Sequence, residues 1–144
     1  VYYVNREQLE LRLQCIPSIA EAMREIGAGW NGSKVEGLAQ ERALHLAIET
    51  VTDVGSYLID GFIMRDASSY EDIIEINAEE QVFPRELTPV LIELVRLRKP
   101  LVQEYYAWPS QERHPFLAVL PDVLETFASS VRQYVERELG AFHT

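Results

Sequence analysis

From Ser33 to about Gly61 the sequence carries one unbroken helical stripe. With each residue advancing about 100°, Leu44, Ala47, Ile48, Val51, Gly55, Leu58 and Ile59 share one arc, while Arg42, Glu49 and Asp53 fall opposite. Ser33 and Glu36 form a capping box at its start, which fixes where the helix begins. A helix of that length crosses a whole small domain, so the rest of the chain must pack along it. Period-2 alternation bounded by hairpin turns is absent, and helix signals recur along the sequence. The expected fold is all-α, an antiparallel bundle of four long helices plus one short helix, in a single domain over residues 1–144.

The other helices follow from caps and prolines. The first starts at Asn5, carries Leu9, Leu13, Ile16, Ala20 and Met23, and ends at Gly27 and Gly29, with a kink expected at Pro17. After the loop MRDA, Ser68 or Ser69 caps a short helix containing Tyr70, Ile73, Ile74 and Ile76. The fourth helix starts at Pro84 or Pro89, carries Leu87, Leu91, Leu94, Leu101 and Tyr105, and is interrupted by Pro100. The last buries Phe116, Leu120, Val123, Phe127, Val131 and Tyr134, with a bend expected at Pro121. On the second helix, Leu46, Thr50 and Tyr57 make another, narrower strip of the kind that contacts a partner chain.

Charge and cysteine usage narrow the function. Thirteen Lys and Arg against 23 Asp and Glu give a formal charge of −10, which repels phosphate backbones unless basic groups are concentrated in one place. Cys15 is the single cysteine, so internal disulfides and Cys-rich zinc sites are excluded; beside Leu13 and Ile16 it is expected to be a buried thiol. No apolar run approaches the roughly 20 residues needed to span a bilayer, and VYYVNREQLE lacks the blocks of a signal peptide. A cytoplasmic location is expected.

Basic groups are indeed concentrated in ELVRLRKPLVQEYYAW, positions 93–108, which holds Arg96, Arg98 and Lys99. Arg98 and Tyr105 are seven apart and share a helical face, whereas Gln103 lies roughly 140° from Arg98 in an unbroken helix. Pro100 supplies a break, because it cannot donate to the Arg96 carbonyl and clashes with it. The plainer alternative is that Arg96 and Lys99 solvate a surface while Tyr105 packs in the core.

His45, Glu49 and Asp53, at i, i+4 and i+8, project from one helix face and raise the question of a metal. Three ligands on one helix rarely close around an ion, and the histidines left to complete a set are His114 and His143. No metal site and no cofactor are assigned. His114 suits acid-base work less well than His45, because Pro115 beside it marks a helix start.

The all-α layout, the helix ERALHLAIETVTDVGSYLIDGFIMRD, the SSYEDI cap and RKPLVQEYY together resemble the HepT-like branch of the HEPN proteins (higher eukaryotes and prokaryotes nucleotide-binding domains). The resemblance implies a toxin-type, metal-independent endoribonuclease that works as a homodimer and is neutralised by an MntA-type nucleotidyltransferase antitoxin. The family signature Arg-x-x-x-x-His-x-Tyr places Arg98 and Tyr105 in the motif and Gln103 at the histidine position. Glutamine hydrogen-bonds but cannot exchange a proton near neutral pH, and losing general acid-base catalysis costs typically about 10² to 10⁴ in rate. Cleavage is therefore expected to be weak or absent unless His45, Glu49 or Tyr105 substitutes. The resemblance also makes Arg42, His45, Glu49 and Asp53 walls of a cleft near the subunit interface. Arg96, Lys99 and Tyr106 become further RNA or nucleotide contacts, and Tyr105, or its neighbour Tyr106, a modification site. Two alternatives stand beside this. One is a non-catalytic module that binds a nucleotide or a nucleotidyltransferase partner; the other makes Glu49 and Asp53 ordinary ion-pair partners of Arg42.

Overall fold

A computed structural model describes residues 2–140, and His143 lies outside the described residues. Six α-helices follow in order: α1 (Arg6–Leu13), α2 (Ile16–Ala28), α3 (Lys34–Gly61), α4 (Tyr70–Glu79), α5 (Thr88–Arg96) and α6 (Phe116–Gly140). No strand occurs among the described residues. α3 runs the length of the bundle; α1, α2, α4 and α5 pack on it, while α6 packs chiefly on α2.

The break between α1 and α2 is sharper than a kink. Pro17 has no N–H to give the Leu13 carbonyl, so α1 stops at Leu13 and Pro17 sits in the first turn of α2, where the missing donor costs nothing. Cys15 falls in this joint and is exposed, with its thiol against the Leu11 carbonyl; the expected buried thiol is corrected, because Leu13 and Ile16 turn inward and Cys15 does not.

Both caps of the central region form as their sequences require. Ser33 Oγ accepts from the Glu36 N–H, and the Glu36 carboxylate accepts from the Ser33 N–H in return. Ser69 caps α4, while Ser68 donates its N–H to Asp72, whose carboxylate is also gripped by both terminal nitrogens of Arg65 at 2.9 Å. α3 and α4 cross at Gly55, where a Cβ would stand 2.5 Å from Ile73, so only glycine permits this approach. Pro84 precedes a 3₁₀ turn (Arg85–Leu87) and Pro89 occupies the first turn of α5, so each candidate start is used, for a different element. α6 continues through Pro121, which is buried six residues into the helix.

The second strip of α3 is taken up inside the chain. Thr50 is buried, Leu46 and Tyr57 pack against the core, and the Arg12 guanidinium lies 5.0 Å from the centre of the Tyr57 ring. Leu46 and Tyr57 remain partly exposed. The apolar side chains that α3 exposes most are Val35 and Leu38, near its start.

Candidate active site

Pro100 decides the shape of the region after α5. α5 ends at Arg96, and residues Lys99–Gln103 form a π turn in which the Glu104 N–H reaches back five residues to the Lys99 carbonyl at 2.9 Å. A 3₁₀ turn, Tyr105–Ala107, follows. This distortion separates the side chains of the basic segment instead of leaving them on one regular helical face.

Arg98, at the junction of α5 and the π turn, points inward. Its Nη1 donates to Glu49 Oε1 of α3 at 2.7 Å, and its guanidinium lies over the Tyr70 ring at the start of α4, 4.3 Å from the ring centre. The cation is thereby held by α3 and α4. Its side chain is one-quarter exposed, and its Nε is buried without a hydrogen-bond partner among the described residues. The Glu49 oxygen that holds Arg98 also lies 3.4 Å from His45 Nε2, one turn earlier on α3. His45 in turn lines a pocket of about 230 Å³ with Leu38, Glu41, Arg42 and the π-turn residue Leu101.

The site residues expected from the sequence thus divide. Arg98, Glu49 and His45 come together, and Arg42 shares the pocket with His45. Asp53 does not join them: its carboxylate pairs with Arg12 of α1 at 3.3 Å. The reading in which Glu49 and Asp53 are partners of Arg42 is overturned, since they pair with Arg98 and Arg12 instead. The metal alternative loses its geometry for the same reason, and no group of three or more His, Cys, Asp or Glu side chains placed to hold an ion occurs among the described residues. Arg96 is exposed and paired with Glu71 at 2.7 Å, which raises its pKa further and leaves it committed to α4. Lys99 and Gln103 are exposed. Tyr105 is 67% exposed, so it does not pack in the core; Tyr106 is 79% exposed, with the two rings edge-on 5.8 Å apart.

Two features were missed in the sequence. Tyr70 appears there as a residue of the α4 stripe, and nothing local announces that its ring meets Arg98. Gln40 is the other. It is fully buried on α3, donates to the Glu112 carbonyl at 3.0 Å and accepts the His114 N–H at 2.7 Å, clamping the loop that follows Trp108. Its signal was a polar residue on the apolar face, four before Leu44 and seven before Ala47. Gly37 assists, since a Cβ there would lie 2.4 Å from the Ser110 carbonyl oxygen. His114 ends this loop as a structural group: its Nδ1 accepts the Phe116 N–H at 3.0 Å, and burial lowers its pKa. A wider cavity of about 760 Å³, lined by Glu75, Glu79, Gln81, Arg85 and Thr88 among others, contains none of the residues that surround Arg98.

Comparison with known proteins identifies the family. A model of the family described as "Ribonuclease HepT-like" matches residues 13–108, two-thirds of the chain, including α3, Arg98 and Tyr105. The chain belongs to the HepT-like family. A HepT-like relative, the Bacillus subtilis (strain 168) protein named "Putative RNase YutE", is 36% identical over 140 residues, covering 97% of this chain and 96% of the relative. The solved structure of YutE from Bacillus subtilis, described as a cytosolic protein of unknown function, superposes with a TM-score of 0.85 at 34% identity over 97% of this chain and 96% of that one. The all-α HEPN-like fold expected from the sequence is therefore shared with a solved relative. No helix among the described residues is long and apolar enough to cross a membrane.

Proposed function

We propose that this HepT-like protein is a toxin-type endoribonuclease that cleaves RNA without a metal ion, around Arg98, and that the replacement of the motif histidine by Gln103 makes it slow. The observation that carries the reading is the setting of Arg98. A guanidinium offers five donors, and hydrogen bonds to the described residues engage Arg98 only through the Nη1–Glu49 contact. Its orientation is fixed by Glu49 and Tyr70, so the remaining Nη donors are organised before a phosphate arrives, while Nε is buried. Preorganised positive charge of this kind stabilises the charge that develops on phosphorus when a ribose 2′-hydroxyl attacks it. The location of this one committed cation explains how an acidic chain can still hold an RNA phosphate.

The functional unit in this reading is a homodimer, with Val35 and Leu38 at the start of α3 among its contacts, and an MntA-type nucleotidyltransferase is the neutralising partner. The exposure of Tyr105 and Tyr106 favours a second reading, in which the site binds a nucleotide or that partner and Tyr105 is modified, without cleavage. Purified protein in excess chelator, incubated with mixed RNAs beside Arg98→Ala and Arg98→Lys, separates the two. The nuclease reading requires cutting by the native chain and a loss of about 10²-fold or more in Arg98→Ala. Nucleotide binding that depends on Arg98, without any cutting, moves the second reading ahead.

A further inference from the structure

We infer that His45 of α3 is the proton-transfer group of this site, acting as general base on the ribose 2′-hydroxyl in place of the absent motif histidine. The inference rests on the RNA-cleavage reading above and names the residue that makes it chemically workable.

Imidazole is the side chain whose ordinary titration falls near neutral pH, so the candidates reduce to histidines. Of the two among the described residues, His114 is spent: its Nδ1 accepts the Phe116 N–H, and its ring stacks on Trp108 and meets the Phe116 ring at a tilt. His45 differs in each respect. Its side chain is 31% exposed, it lines a pocket open to solvent, and its Nε2 faces Glu49 while Nδ1 has no hydrogen-bond partner among the described residues. A carboxylate at Nε2 favours the tautomer with its proton there, leaving Nδ1 as the acceptor. One Glu49 oxygen touches both His45 and Arg98, so the base and the phosphate-binding cation are fixed relative to each other. The charged groups around the imidazole are Glu49, Glu41 and Arg42 from its own helix and Arg98 from the α5 junction; the π turn brings the apolar Leu101 to the pocket.

The step balances with these groups alone. Nδ1 of His45 takes the 2′-hydroxyl proton, and the 2′-oxygen forms a bond to phosphorus. The bond from phosphorus to the 5′-oxygen breaks, and that oxygen takes a proton from water. The resulting hydroxide is neutralised by the proton His45 gives up to solvent. The products are a 2′,3′-cyclic phosphate and a 5′-hydroxyl, with no oxidant, reductant or metal needed.

The test compares the pH dependence of chelator-treated RNA cleavage by the native chain, Gln103→His, His45→Gln, His45→Asn and His45→Gln/Gln103→His. Binding of a 2′-deoxy oligonucleotide of the same sequence and thermal melting are measured alongside. Expected is a fall in kcat of about 10²-fold or more in both single variants, with the rise of rate with pH near neutrality lost, binding within about twofold, and partial recovery in the double variant. Nitrogen-15 NMR of the native protein supplies a readout free of activity, with the neutral His45 ring expected to carry its proton on Nε2. Cleavage by both single variants within about threefold of native, or a proton on Nδ1, overturns the assignment of His45. Cleavage by Gln103→His but not by the native chain also overturns it, while leaving the Arg98 site standing. No cleavage by any form, Gln103→His included, removes the RNA-cleavage reading itself and the role of His45 with it.

Discussion

Replacing Gln40 with alanine probes how the segment following the π turn is held against α3. Gln40 is fully buried and makes two hydrogen bonds to backbone groups of residues 112 and 114, at 3.0 and 2.7 Å. Each bond contributes about 1 kcal/mol net, and deleting the amide also leaves a cavity and two backbone groups that only water can satisfy. The exposure of Glu112 lets water reach its carbonyl, which limits the second penalty. The expected loss is about 2–4 kcal/mol. At about 2–4 °C per kcal/mol for a chain of this size, the melting temperature should fall by roughly 4–16 °C. Hydrogen exchange gives the local readout: the His114 amide should lose most of its protection, while amides in the middle of α3 keep theirs once the global loss is subtracted. Gln40→Glu should recover the acceptor for the His114 N–H but not the donor to Glu112, and should lie between the two. A melting temperature within about 2 °C of native, with the His114 amide still protected, would show that Gln40 is not what holds this loop.

Other consequences follow from named contacts. Ile63, after the end of α3, has φ of 55° and an exposed side chain, so Ile63→Gly should relieve a β-branched residue from the left-handed region and raise stability by about 0.5–1 kcal/mol in urea unfolding. Gly55→Ala drives a Cβ to 2.5 Å from Ile73 and 3.1 Å from the Asn77 amide, and should cost about 1–3 kcal/mol in the same assay. The Arg65 guanidinium, then the Ser68 N–H, hold the Asp72 carboxyl well below its ordinary pKa of 3.8. That contribution is fully present above about pH 4 and is lost as pH falls towards the folded value, so Asp72→Asn should flatten the acid side of a plot of melting temperature against pH. Burial, then Glu138 and Glu80, pushes the Tyr134 phenol up to about 12, so ultraviolet titration should find one tyrosine ionising near there and stability falling as pH rises from about 10 through 12.

The legible parts of the fold were those written in local chemistry. The capping box at Ser33 and Glu36 gives the start of α3 and the stripe behind it the helix to about Gly61, because caps and periodicity act within a few positions. Pro17 and Pro100 each mark a real break, but a proline says where a helix fails and not what replaces it. One becomes a joint between two helices and the other a π turn. The candidate site was legible at Arg98, Glu49 and His45 as residue types on suitable faces. Their partners were not, because Glu49 meets Arg98 across 49 positions of sequence and Asp53 meets Arg12 across 41. No local rule distinguishes those pairings from the Arg42 pairs that a single helix suggests. The plainer reading put Tyr105 in the core because its four-residue spacing from the buried Leu101 assumes a regular helix, which the π turn abolishes.

The central claim, that Arg98 serves metal-independent RNA cleavage, is tested most directly by the chemistry of the cut ends. Native protein and Arg98→Ala are incubated with a single radiolabelled RNA in excess chelator, and the 3′ termini are identified by mass spectrometry. The account predicts 2′,3′-cyclic phosphate ends from the native protein, no cutting of the same RNA with 2′-deoxyribose throughout, and at least about a 10²-fold slower rate for Arg98→Ala. Cleavage that persists in Arg98→Ala, or that yields 3′-hydroxyl ends and needs an added divalent ion, would contradict it.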